Sequence, residues 1–87
     1  MKISYDPRKR QRTLDERGLD FDDAMSVFAG SMVTFVDDRR DYGETRWISA
    51  GYLADRLLVI VWTPRNGGRH IISMRKANDR EQKKFGR

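Results

Sequence analysis

Six consecutive apolar residues, Leu57 to Trp62, sit inside the segment RLLVIVWT. A run this long cannot be half-buried. It predicts a central strand with both faces covered, so the fold must place material on both sides of it. It is far too short to cross a bilayer, which takes ~20 apolar residues. Directly after it, Pro64-Arg65-Asn66-Gly67-Gly68 carries Asn-Gly, a hairpin signal. RHIISMR then predicts the returning strand.

The remaining chain is organised around that hairpin. KISYDP alternates Ile3 and Tyr5 with polar neighbours, which predicts a short first strand. Asp6-Pro7 then supplies a capping carboxylate and a proline suited to a first helical position. The helix that follows, RKRQRTLDER, has Leu14 as its only large apolar anchor and docks lightly; Gly18 ends it. In DFDDAMSVFAG, Phe21, Ala24, Met25 and Phe28 recur at i, i+3, i+4 and i+7, one face of a helix that belongs to the core. From residue 31 the period becomes two. SMVTFVDD and ETRWISAGYLA read as strands joined by DRRDYG, with a tight turn near Asp55. ANDREQKKF is a final helix, with Asn78 and Glu81 spaced for a capping box. The order β, α, α, four strands, α predicts a single α+β domain over residues 1–87. Both early helices pack on one face of an antiparallel sheet of four to five strands, and the other face stays partly open.

Composition narrows the function. The 87 residues contain no cysteine and one histidine, so disulfides and thiolate metal sites are excluded and no metal or cofactor is expected. No apolar leader precedes Asp6, and a cytoplasmic protein with no membrane association is expected. The net charge is +5, yet residues 64–87 hold eight basic side chains against two acidic, while residues 1–63 are nearly balanced. Positive charge confined to one end attracts polyanions such as RNA.

YDPRK, RGLDFDDAMSVF, GETRWISAG, LLVIVWTPR and RHIISMRKANDRE, in this order and spacing, resemble the BrnT toxins of bacterial type II toxin–antitoxin systems. Two positions depart from the family pattern. Arg17-Gly18 stands where the family has His-Gly, and Met74 replaces a small residue before Arg75. An arginine at position 17 cannot act as a base at neutral pH. The resemblance implies a RelE-like fold and a ribonuclease that cleaves RNA and stops translation. It also implies a BrnA-type DNA-binding antitoxin as partner, in a heterotetramer.

RNA cleavage without metal uses the substrate 2′-OH as nucleophile, and the protein must stabilise the extra charge of the phosphorane. Guanidinium groups suit that task. With the family pattern, Arg46, Arg65 and Arg75 are the expected catalytic cations, converging from separate strands on one phosphate, and Glu44 is the carboxylate that orients Arg46 or acts as base. Lys9, Arg69, Lys76 and Tyr52 are expected to contact RNA, with Trp47 a further stacking candidate. Strict alternation gives His70 the side shared by Ile72 and Met74, so it reads as a structural or edge residue. Two other readings stay open: a module that binds nucleic acid without cutting it, and a subunit whose open face receives a partner.

Overall fold

The computed structural model describes residues 2–87. Its elements are β1 (Ile3–Tyr5), α1 (Pro7–Arg17), a 3-10 turn (Phe21–Asp23) that runs into α2 (Ala24–Ala29), β2 (Met32–Val36), β3 (Trp47–Leu53), β4 (Arg56–Arg65), β5 (Gly68–Lys76) and α3 (Asp79–Phe85). The α+β class and the element order follow the sequence reading. The strands form one sheet in the order β1-β5-β4-β3-β2.

The sheet is mixed rather than antiparallel. β2 to β5 form the expected antiparallel meander, but β1 pairs with β5 in parallel, Ser4 opposite His70. The long stretch of chain between β1 and β5 makes that pairing possible, since parallel neighbours need a crossover and not a tight turn. Asn66 (φ 52) and Gly67 (φ 76) turn β4 into β5. Two successive positive φ values are what a type I′ hairpin requires.

β4 is central, with Leu57 to Ile60, Trp62 and Thr63 all buried. Its even-numbered residues Leu58, Ile60 and Trp62 join Ile71 and Met74 under Leu19, Phe21, Ala24 and Val27. We call this the covered face. Each fully buried side chain of that set, Phe21, Ile71 or Met74, contributes about 1.5–3 kcal/mol. The odd-numbered residues Leu57 and Val59 join Ala50 and Ala77 on the opposite face, beneath Phe85 of α3.

The helices cover the sheet differently from the expected pair. α1 buries no residue and does not lie on a sheet face. It flanks the part of the β5 edge that β1 leaves free, where Arg17 Nη1 donates to the Met74 carbonyl at 2.9 Å. Its sequence explains this, because Leu14 alone cannot hold a helix on a sheet. α3 packs on the face expected to be open and covers one end of it. In the second helical segment Met25 is 41% exposed, not core. The first turn is 3-10, with about three residues per turn, so the buried positions run Phe21, Ala24, Val27 and the α-helical phase is lost.

One irregularity decides which side chains share a face. Val61 pairs with Ser73 but Trp62 pairs with Ile71, so Ile72 is an extra residue on β5. A bulge of this kind reverses the alternation across it. Ile71 and Met74, three residues apart, are therefore both fully buried on the covered face.

Candidate functional site

The face opposite α2 is a basin. Its floor is set by register. Ile48, Val61 and Ser73 lie in one row, and Thr63, His70 and Ser4 in the next. Thr63 Oγ1 donates to the Thr45 carbonyl at 2.7 Å, which fastens the chain before β3 to β4. α3 closes one end. α1 forms a wall, with Lys9, Arg12, Thr13, Glu16 and Arg17 around a cleft of about 130 Å³ that reaches Ile72 and Ser73.

The far wall is the β2–β3 loop, and Asp37 anchors it. Its side chain is fully buried and accepts from Arg39 Nε at 2.7 Å, from Arg39 Nη2 at 2.8 Å and from the Tyr42 hydroxyl at 3.2 Å. Its backbone N–H donates to the Arg46 carbonyl at 2.8 Å, extending the β2–β3 ladder by one pair. The Arg39 bond, chiefly, holds the Asp37 carboxyl down to about 2. A polar network this well satisfied fixes the loop.

Three residues gather at the open end. Arg46 Nε lies 3.5 Å from Glu44 Oε1, and Arg65 Nη2 lies 3.8 Å from Glu44 Oε2. One carboxylate therefore stands between two guanidinium groups, one just before β3 and one at the end of β4. The Arg46 guanidinium carbon sits 3.9 Å from the centroid of the Tyr42 ring, with Arg40 on that ring at 5.3 Å. Stacking orients Arg46 without neutralising it. Its Nε is shielded from solvent and has no hydrogen-bond partner among the described residues. A buried donor left unpaired costs about 1–3 kcal/mol.

Arg75 shares the basin face but not the cluster. It lies opposite Val59, four residues along β4 from Thr63, or about 13 Å at strand rise. Its Nη1 and Nη2 donate to Glu81 Oε1 and Oε2 at 2.7 and 2.8 Å. This fork, chiefly, holds the Glu81 carboxyl down to about 2 and raises Arg75 above its ordinary value. Arg39 lies close enough to oppose part of that rise.

The other expected RNA contacts separate. Lys9 is on the α1 wall of the basin. Arg69 is on the covered face, sandwiched between Phe28 at 4.3 Å and Trp62 at 4.7 Å, and burial lowers its pKa. Lys76 pairs with Leu58 and so belongs to that face too. Trp47 stacks on Trp62 there at 6.2 Å. Tyr52 is on the basin side beneath the end of α3, but Arg87 covers its ring at 4.1 Å and donates its backbone N–H to the hydroxyl at 3.0 Å.

His70 was missed by strict alternation. The bulge turns it away from Met74 onto the basin face, opposite Thr63. Its Nδ1 is 2.9 Å from Ser4 Oγ. Desolvation, and then Arg65, lower its pKa, with Lys9 adding to the effect and Glu44 and Asp6 opposing it. The signal for the bulge was the Ile71-Ile72 pair, two adjacent apolar residues in a strand with only one covered face at that end.

The family model described as "Ribonuclease toxin, BrnT, of type II toxin-antitoxin system" matches residues 5–81. The chain belongs to the BrnT toxin family. No protein among the curated sequences matches it. The matched region begins in β1 and ends in α3, so it covers most of the basin and every residue of the Arg46–Glu44–Arg65 group. Family membership carries a ribonuclease toxin of a type II system and, with it, an antitoxin partner. No helix among the described residues is long and apolar enough to cross a membrane, and no three of them group as metal-binding side chains.

Proposed function

We propose that this BrnT-family chain is a metal-independent, RelE-like endoribonuclease that cuts RNA in the basin and thereby inhibits translation. The observation that carries the reading is the pair of guanidinium groups, Arg46 and Arg65, that share the single carboxylate of Glu44 at 3.5 and 3.8 Å. Two cations around one carboxylate leave an excess of positive charge, which suits an incoming phosphate. Arg46 and Arg65 take the scissile phosphate. Glu44 spaces them and yields to the anion. Arg75 on β5, about 13 Å from the Thr63–His70 row, and Lys9 on α1 grip flanking phosphates of the same strand. The 2′-oxygen attacks phosphorus, the bond to the 5′-oxygen breaks, and a 2′,3′-cyclic phosphate and a 5′-hydroxyl are left.

The partner is a DNA-binding antitoxin of the BrnA type in a heterotetramer. β2 is a free sheet edge with Val33, Phe35 and Val36 exposed, the kind of apolar edge that a bound chain covers.

The test is cleavage of a short RNA and its 2′-O-methyl copy, with and without EDTA. The RNA should be cut equally well in EDTA and the copy not at all. RNA left intact at a large excess of protein would leave a binding module in place of an enzyme.

A further inference from the structure

We infer that His70 is a catalytic residue of this site, the general base that takes the proton from the attacking 2′-OH. The inference deepens the ribonuclease reading and rests on it.

Three independent features of the fold converge on His70. The bulge at Ile72 puts its side chain on the basin face, in the row next to the Ile48–Val61–Ser73 floor. Without the extra residue it would point with Met74 into the covered core. The hairpin register then sets it opposite Thr63, whose hydroxyl fastens the chain at Thr45, one residue before Arg46. Finally, the parallel strand β1 delivers Ser4 to the ring, with Oγ 2.9 Å from Nδ1. When Nδ1–H donates to Ser4 Oγ, the tautomer is fixed and the lone pair is on Nε2. This is the role the orienting partner plays wherever a histidine serves as base. Nε2 has no hydrogen-bond partner among the described residues.

The charges around the ring suit the task. Arg65 and Lys9 face it, and Glu44 and Asp6 partly offset them. Half-burial first, and then Arg65 and Lys9, favour the neutral imidazole, which is the form a base needs. The same cations are those proposed to hold phosphate, so a strand bound by Arg65 and Lys9 passes over His70.

The step balances. Nε2 accepts the 2′-OH proton as the bond from the 2′-oxygen to phosphorus forms. The bond from phosphorus to the 5′-oxygen breaks, and that oxygen takes a proton from water. The imidazolium returns its proton to solvent. Ser4 is a positioning residue, because it acts only through His70.

The experiment is single-turnover cleavage of a short RNA in EDTA from pH 5 to 9 by the unaltered chain, His70→Gln, His70→Ala with and without added imidazole, and Ser4→Ala, with RNA affinity measured in parallel. The unaltered chain should show a rate that rises tenfold per pH unit at low pH and then levels off, with a midpoint below the ordinary histidine value of ~6.5. His70→Gln should lose about 10²–10⁴-fold in rate and lose the rising limb, while RNA affinity stays within about threefold. Imidazole should restore part of the His70→Ala rate, and Ser4→Ala should move the midpoint of the limb without changing affinity. Cleavage by His70→Gln within about threefold of the unaltered rate, with the limb retained, overturns the role of His70 and leaves the ribonuclease reading standing. No cleavage by the unaltered chain overturns both.

Discussion

Arg75 on β5 and Glu81 on α3 are joined by a two-pronged bond, Nη1 to Oε1 at 2.7 Å and Nη2 to Oε2 at 2.8 Å. The same Glu81 accepts from the Asn78 backbone N–H at 2.9 Å, while Asn78 Oδ1 accepts from the Glu81 N–H at 2.8 Å. The capping box that starts α3 is therefore also the clamp that docks it on the sheet. The double-mutant cycle of Arg75→Ala and Glu81→Ala should give a coupling of about 1 kcal/mol, since the pair is bidentate but partly open to solvent. Thermal melts check this, and additive single effects would remove the clamp.

Acid should release the same clamp. The folded chain holds the Glu81 and Asp37 carboxyls down to about 2, below their ordinary values of 4.5 and 3.8. Groups depressed in this way bind fewer protons folded than unfolded, so their stabilisation is present above pH ~4.5 and is lost as pH falls toward 2. Denaturant midpoints should drop across that window. Glu81→Gln and Asp37→Asn should each flatten part of the drop.

Asp37 anchors the loop that presents Arg46, so its loss should be felt in both stability and activity. Asp37→Ala leaves Arg39 and Tyr42 without their shared partner and should cost about 1–3 kcal/mol. For a domain this size that is a fall of roughly 4–8 °C in melting temperature per kcal/mol. RNA cleavage at a temperature where the variant is folded should also fall, because Arg46 loses its fixed support.

Arg69 and Lys9 separate structure from binding. Arg69→Ala removes the cation between Phe28 and Trp62 on the covered face and should lower stability by about 1 kcal/mol with little change in RNA affinity. Lys9→Ala should leave the melt unchanged and reduce the salt slope of RNA binding by about 0.7, the value for one phosphate contact on a single strand.

Much of the fold was legible because its signals are local. Asp6-Pro7 and Gly18 bound α1, and Asp6 does accept from the Arg8 N–H at 2.9 Å. Asn66-Gly67 marks the hairpin, and the apolar run at Leu57–Trp62 marks the central strand. What failed depends on contacts distant in sequence. Nothing in KISYDP says that it pairs in parallel with a strand more than sixty residues later. The 3-10 start of the second helical segment puts Phe21, Ala24 and Val27 in the core, and Gly51 accommodates Val27, since a Cβ there would lie 2.8 Å from Val27 Cγ1. At the site, Arg46, Arg65 and Glu44 could be grouped from the family pattern. That Arg75 is claimed by Glu81, and that His70 faces the basin, follow from a capping box and a one-residue bulge whose consequences appear only in three dimensions.

In the proposed site Arg46, just before β3, and Arg65, at the end of β4, act on one scissile phosphate. The most direct test of this is the single-turnover rate of RNA cleavage by Arg65→Ala in EDTA. A fall of about hundredfold or more is expected with the melting temperature essentially unchanged, because among the described residues Arg65 is held only by a long contact to Glu44 at 3.8 Å. A rate within about threefold of the unaltered chain would contradict it.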